Sequence, residues 1–187
     1  VIAGGHKLAR LVARELKNAG FAVLLIDRNW SNISAARMDG VEAYYGDTLS
    51  EETLEEINLT DKGKFLALTP NDRINTLASL HFQDVFERNE IYQLDTEQSP
   101  DREDDPSVPG HLMGRVLFGD DLTYSVLADR VNRGAELRTT KLSKEFLFDD
   151  FKKEYGENAV PLFVVTPEKR LRPITTDSKP SPGAGSR

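Results

Sequence analysis

With 187 residues, 39% of them hydrophobic and 29% charged, the chain can bury a sizeable core and reads as one globular domain with a small appendage. A net charge of −7 argues against a nucleic-acid partner, which would favour a basic stripe. The absence of cysteine removes disulfides, thiol catalysis and cysteine-ligated zinc, and no apolar run approaches the roughly 20 residues that span a bilayer.

Val1 to Ala3 reads as the end of a strand that runs through Gly4 and Gly5 into a helix. There is no initiator Met, so further residues are expected upstream. In the helix, Leu8, Leu11, Val12, Leu16 and Ala19 follow helical spacing, with Arg10, Arg14, Lys17 and Asn18 facing away, and Gly20 ends it. Phe21 to Ile26 is a continuous apolar run, as in a strand covered on both faces, and Asp27 closes it. Ser31 is placed to cap a short helix ending at Gly40, followed by the strand VEAYY. Ser50 is placed to cap the helix EETLEEI, and KFLALT is a fourth strand.

Thr69, Pro70 and Asp72 then fall at N-cap, N1 and N3 of a helix predicted to bury Ile74, Leu77, Ala78, His81, Val85 and Phe86. EIYQL is a fifth strand. Strands alternating with helices over short connections define an α/β fold, a Rossmann-like doubly wound parallel sheet, over residues 1–95.

The rhythm breaks over 96–113, an acidic, proline-rich linker. A small C-terminal α+β unit is expected over 114–175: the strand RVLFG, a helix LTYSVLADRVNRG, a strand AELRTTKLS, a helix KEFLFDDFKKEYG, and a hairpin of PLFVVT and LRPIT about the turn PEKR. Residues 176–187 have the composition of a disordered tail.

The chemistry concentrates at the strand ends. In a strand-loop-helix turn the first glycine allows the tight turn, the second lets backbone approach a pyrophosphate, and the third lets helix pack on strand. Here Gly4 takes the first place, His6 the second and Ala9 the third, with Asp27 standing 23 positions after Gly4, where such folds hold a ribose hydroxyl. The plain alternative is that Gly4 and Gly5 serve only the turn. Asp47, Thr69 and Asn71 follow the third and fourth strands, where ligands sit, and helix or turn capping explains them equally. His81 reads as a satisfied core histidine, His111 stands alone beside the linker, and no metal cluster or nucleophile–base pair is visible.

VIAGGHKLARLVARELKNAGFAVLLIDRN, ARMDGVEAYYGDTLSEETLEEINL and FLALTPNDRIN together resemble the RCK, or TrkA-N, domain. The marks in order are a glycine loop, an acid after the second strand, a Gly-Asp after the third and a T-x-N-D-x-x-N after the fourth. The run from Ala36 to Glu51, with the compact C-terminal unit, is similar to the antiporter type. The resemblance implies a regulatory, non-enzymatic domain on the cytoplasmic face of the inner membrane. It would pair as a homodimer and bind AMP, ATP or NAD(H). It would control potassium- or sodium-for-proton exchange by a transmembrane domain upstream on the same polypeptide.

Residue by residue, the resemblance implies a phosphate loop of Gly4, Gly5, His6, Lys7 and Leu8, and a ribose acid Asp27 with Arg28 beside it. Asp47 and Thr48 would flank the adenine, and Thr69, Asn71 and Asn75 would line the far side. His6 departs from the family pattern and weighs against a dinucleotide more than a mononucleotide, because a pyrophosphate must lie flat on the loop. The alternatives are a fragment of an NAD-dependent oxidoreductase and a scaffold that assembles without ligand.

Overall fold

The computed structural model describes residues 1–97, 113–156, 159–178 and 182–187. Most of the expected linker, His111 included, lies outside them. The elements in order are β1 (Ile2–Ala3), α1 (Lys7–Asn18), β2 (Leu24–Asp27), α2 (Trp30–Met38), β3 (Glu42–Tyr45), α3 (Glu51–Glu56), β4 (Phe65–Ala67), α4 (Asp72–His81) and β5 (Ile91–Gln93). Then follow β6 (Arg115–Val116), α5 (Tyr124–Asn132), α6 (Phe148–Tyr155), β7 (Phe163–Val165) and β8 (Leu171–Pro173).

Six parallel strands run in the order β3-β2-β1-β4-β5-β6. The winding reverses between β1 and β4, so the crevice at their carboxyl ends is where a sheet of this topology takes a ligand. The α/β doubly wound reading is correct. One core layer joins α1 and α5 to one face through Ile2, Leu25, Val12 and Leu127; the other joins α4 to the opposite face through Ala3, Ile26, Phe65 and Phe82. Burial on both faces is why Leu24 to Ile26 is uninterrupted apolar sequence.

Helix α1 ends as its sequence requires. Gly20 adopts φ +95, which lets the Phe21 and Gly20 N–H groups bond back to the carbonyls of Leu16 and Lys17.

Several local expectations are corrected. Asn29, not Ser31, caps α2, its side chain accepting from Ser31 N. Ser50 stands at the N-cap of α3 but makes no side-chain cap bond. Asn71, not Thr69, caps α4, leaving Asp72 as its first residue. Helix α4 is also rotated relative to its leucine pattern: Asn75, Thr76, Ala78 and Ser79 face the sheet, while Leu77 is 51% exposed. Val85 is exposed and lies beyond the helix, which ends at His81. Asn75 can go inside because its amide bonds with Thr69, whereas Ser79 Oγ is buried without a hydrogen-bond partner among the described residues. His81 is not satisfied as expected: Nδ1 lies 3.9 Å from Glu51 Oε1, and Nε2 is enclosed without a hydrogen-bond partner among the described residues.

The C-terminal region differs more. The strand from RVLFG is β6, the sixth strand of the main sheet, paired in parallel with β5. AELRTTKLS forms no strand. The hairpin is present, with Val164 opposite Arg172, and it is stitched to the residues after β6 by Phe118 N donating to Ile174 O at 2.6 Å. The described part of the tail is bonded rather than loose: Val165 and Arg187 exchange backbone hydrogen bonds, and Leu142 N donates to Ser186 O at 2.8 Å.

Candidate nucleotide site

The strand-loop-helix turn is held by internal bonds that the letters of the loop do not reveal. Gly4 sits at φ +103 with its N–H donating to Ile26 O, and a Cβ there would stand 3.2 Å from the Leu68 carbonyl oxygen. A Cβ on Gly5 would stand 2.8 Å from Asn32 Cβ. Both glycines are therefore required by neighbouring protein.

Asp27 accepts three hydrogen bonds: Oδ2 from Gly5 N at 2.5 Å and Asn32 Nδ2 at 3.1 Å, Oδ1 from Asn29 N at 2.6 Å. A carboxylate offers about four lone-pair positions, so roughly one remains for a ribose hydroxyl.

Arg10, expected to face away, turns back to the loop. Its Nη1 donates to Gly5 O at 2.8 Å while its Nε lies 3.3 Å from Asp39 Oδ2. With Asn29 and Asn32, it is a site-building residue that sequence reasoning missed. The one available signal was a cation a single turn into the helix opened by the loop.

His6 is the N-cap of α1 but makes no side-chain cap bond. Its ring leans edge-on against Tyr124, the first residue of α5, with centroids 5.8 Å apart. Lys7 is exposed, and Leu8 is buried, so only Leu8's backbone can face a ligand. Among the described α-helices, α1 alone has neither a capping side chain nor an acid in its first turn. Its first-turn N–H groups and positive dipole end are left for a ligand or solvent.

The remaining candidates divide. Arg28 Nη1 lies 3.2 Å from Asp47 Oδ2 across the ends of β2 and β3, both side chains solvated. Asp47 Oδ1 also accepts from Leu49 N, and Thr48 is 7% exposed. Thr69 and Asn75 form a closed bracket: Thr69 N and Oγ1 both donate to Asn75 Oδ1, and Asn75 Nδ2 donates to Thr69 O. Asn75 is 1% exposed, so it shapes the far wall from behind. Asn71 Oδ1 caps α4 by accepting from Ile74 N. Gly4, Gly5, His6, Lys7, Asp27, Arg28, Asp47, Thr69 and Asn71 thus gather at one end of the sheet, with Asn75 beneath. No group of side chains suited to a metal occurs among the described residues.

The TrkA-N domain family model matches residues 1–99, more than half of the chain. The chain belongs to the TrkA-N domain family. Curated relatives are similar to the same half. The Trk system potassium uptake protein TrkA of Mycobacterium tuberculosis is 33% identical over 79 residues, which are 42% of this chain and 36% of that protein. The protein of the same name from Azorhizobium caulinodans is 32% identical over 85 residues, 43% of this chain and 18% of its own length. The match therefore spans well under half of either relative.

Among solved structures, the NAD(P)-binding domain of an exopolyphosphatase-related protein from Archaeoglobus fulgidus superposes with a TM-score of 0.51. It is 18% identical, covering 71% of this chain and 96% of that one. That likeness establishes the shared fold for this TrkA-N chain.

Proposed function

We propose that this TrkA-N chain is a non-enzymatic regulatory domain that binds a nucleotide and controls a membrane transporter of potassium or sodium. The transporter would be a cation/proton antiporter whose transmembrane domain lies on the same polypeptide, with this domain at the cytoplasmic face of the inner membrane. The relatives' name, potassium uptake protein, supports the transport context. The observation that carries the ligand is the open N-terminus of α1 beside Lys7 and Asp27, at the switch point of the sheet.

The residues fit a nucleotide. The α1 first-turn N–H groups and Lys7 would hold a phosphate, and the remaining lone pair of Asp27 a ribose hydroxyl. Arg28, Asp47 and Thr48 stand on the base side; Thr69 and Asn71 line the far wall. A single phosphate suits the loop better than a pyrophosphate, because His6 stands where a dinucleotide needs bare backbone. Regulation requires the nucleotide to favour one arrangement of a homodimer over another, since equal affinity for both shifts nothing.

Titration calorimetry with AMP, ATP, NAD and NADH tests this reading. AMP or ATP should bind, NAD and NADH more weakly, and NADH should not be turned over with small carbonyls. Silence from all four nucleotides would leave the second reading, a scaffold without ligand. That reading is favoured by the three internal hydrogen bonds on Asp27 and by glycines that the protein itself requires.

A further inference from the structure

Helix α5 packs on α1, on the same face of the sheet, and its N-terminus is tied to the end of β5. Asp121 N donates to Asp95 Oδ2 at 3.0 Å, and Asp95 forms a parallel bridge with Thr123. Ser125 N and Oγ donate to Glu97 Oε1 at 3.2 and 2.5 Å, and Glu97 N donates to Asp72 Oδ2 of α4 at 3.0 Å. Tyr124 thus stands between two anchored residues, and its half-buried ring packs against the core layer that α1 and α5 share. A side chain so rooted has little freedom. It meets the His6 ring edge-on, with centroids 5.8 Å apart. His6 makes no cap bond with its side chain, so the Tyr124 ring supplies the directional contact that orients it.

The direction of that contact decides what the crevice can hold. Asp27, Arg28 and Asp47 stand at the ends of β2 and β3, on one side of the switch point, whereas Tyr124 is anchored on the other, at β5. A ring leaning from the α1 N-cap to Tyr124 lies across the line from the α1 N-terminus to the ends of β4 and β5. The second half of a dinucleotide must take that line, because the first half occupies the β2–β3 side. The carboxylates Asp72, Asp95 and Glu97 lie at the same end and oppose a second phosphate there.

We propose that Tyr124 is a positioning residue for the nucleotide site: by holding the His6 ring across the crevice, it selects a mononucleotide over a dinucleotide. That role rests on the nucleotide reading and adds the residue that enforces its single-phosphate preference. Tyr124 lies beyond residue 99, where the TrkA-N match ends, so the choice of ligand is set from outside the matched segment.

Proton NMR of the wild-type 187-residue chain should show cross-relaxation between the His6 imidazole and the Tyr124 ring, and its absence overturns the proposal. Tyr124→Leu keeps an apolar side chain against the core but removes the ring. The His6 imidazole signals should then shift, and the ratio of NAD to AMP affinity in calorimetry should rise about fivefold. Tyr124→Met is a second ringless variant with the same expected outcome, and Tyr124→Phe, which restores the ring, should restore the wild-type ratio. In a His6→Gly background, Tyr124→Leu should change NAD affinity by less than about twofold, since the two side chains act as one unit. Full additivity, or an unchanged ratio in a folded ringless variant, overturns the role of Tyr124 and leaves the nucleotide reading standing. A wild-type chain that binds neither nucleotide overturns that reading, and this role with it.

Discussion

The Gly5 amide donates to Asp27 Oδ2 at 2.5 Å, tying the phosphate-loop turn after β1 to the end of β2. The carboxylate proposed to hold a ribose therefore also holds the loop in shape. Replacement of Asp27 by Ala should lower the unfolding free energy by about 3 kcal/mol, because it strands three donors, and should abolish nucleotide binding. Urea unfolding checks the first part; a loss below about 1 kcal/mol would mean that the three bonds are readily replaced by water.

His6 separates the phosphate reading from the pyrophosphate reading. His6→Gly removes the side chain at the second glycine position at small cost, since glycine is acceptable at an N-cap. NAD affinity should rise about tenfold, while AMP affinity stays within about threefold. Equal gains for both nucleotides in calorimetry would show that the ring does not obstruct the pyrophosphate.

The Thr69–Asn75 bracket is buried and reciprocal, so it should be costly to break. Asn75→Leu is expected to destabilise the chain by about 2–4 kcal/mol, leaving the Thr69 donor and acceptor groups unpaired. Thermal unfolding of this variant beside Asn71→Ala, which loses one helix cap worth about 1 kcal/mol, ranks the two. A smaller loss at Asn75 than at Asn71 would contradict the bracket.

Helix α4 exposes Leu77 and, at 41%, Leu80. Leu77→Glu with Leu80→Glu should leave stability within about 1 kcal/mol, since neither side chain is in the core. If this face is where the proposed homodimer forms, sedimentation velocity will show wild-type dimers and variant monomers. Loss of folding instead would return Leu77 to the core.

Acid sensitivity should gather at the seam between β6 and the chain after β8, held by Asp177, and at the first turn of α5, held by Glu97. The Arg115 guanidinium, and then the Thr175 hydroxyl, hold Asp177 below its ordinary 3.8, and the Ser125 hydroxyl holds Glu97 below 4.5. Both carboxyls are depressed in the folded state. Their stabilisation is therefore present above those values and lost as pH falls through the folded ones. Urea midpoints between about pH 5 and pH 3 should fall for the wild type and fall less for Asp177→Asn. Identical slopes would remove Asp177 from the explanation.

The winding of the sheet was legible because buried parallel strands leave uninterrupted apolar runs and glycines mark the helix ends. The rotation of α4 was not. Hydrophobic spacing assumes that Leu77 goes inward, whereas Asn75 and Ser79 do so, and Asn75 has its partner in Thr69, six residues earlier. The place of the candidate residues at the strand ends was legible wherever they follow a strand. Their occupancy was hidden: Asp27 is engaged by Gly5 and Asn32, and Arg10 reverses onto the loop, through contacts that no spacing rule encodes. The place of β6 was obscured by the acidic stretch before it, which breaks the strand–helix rhythm although the sheet continues beyond it.

That sixth strand has a practical consequence. The TrkA-N match ends at residue 99, but the hydrogen-bond ladder does not. Gln93 Oε1 accepts from Gly114 N, β5 pairs with β6, and Thr176 N in turn donates to Val116 O. A fragment cut where the TrkA-N match ends would bare the whole outer side of β5, a buried strand converted into an open, adhesive border. The smallest unit that can be handled alone is thus set by the sheet, and it reaches past residue 99, where the TrkA-N segment ends.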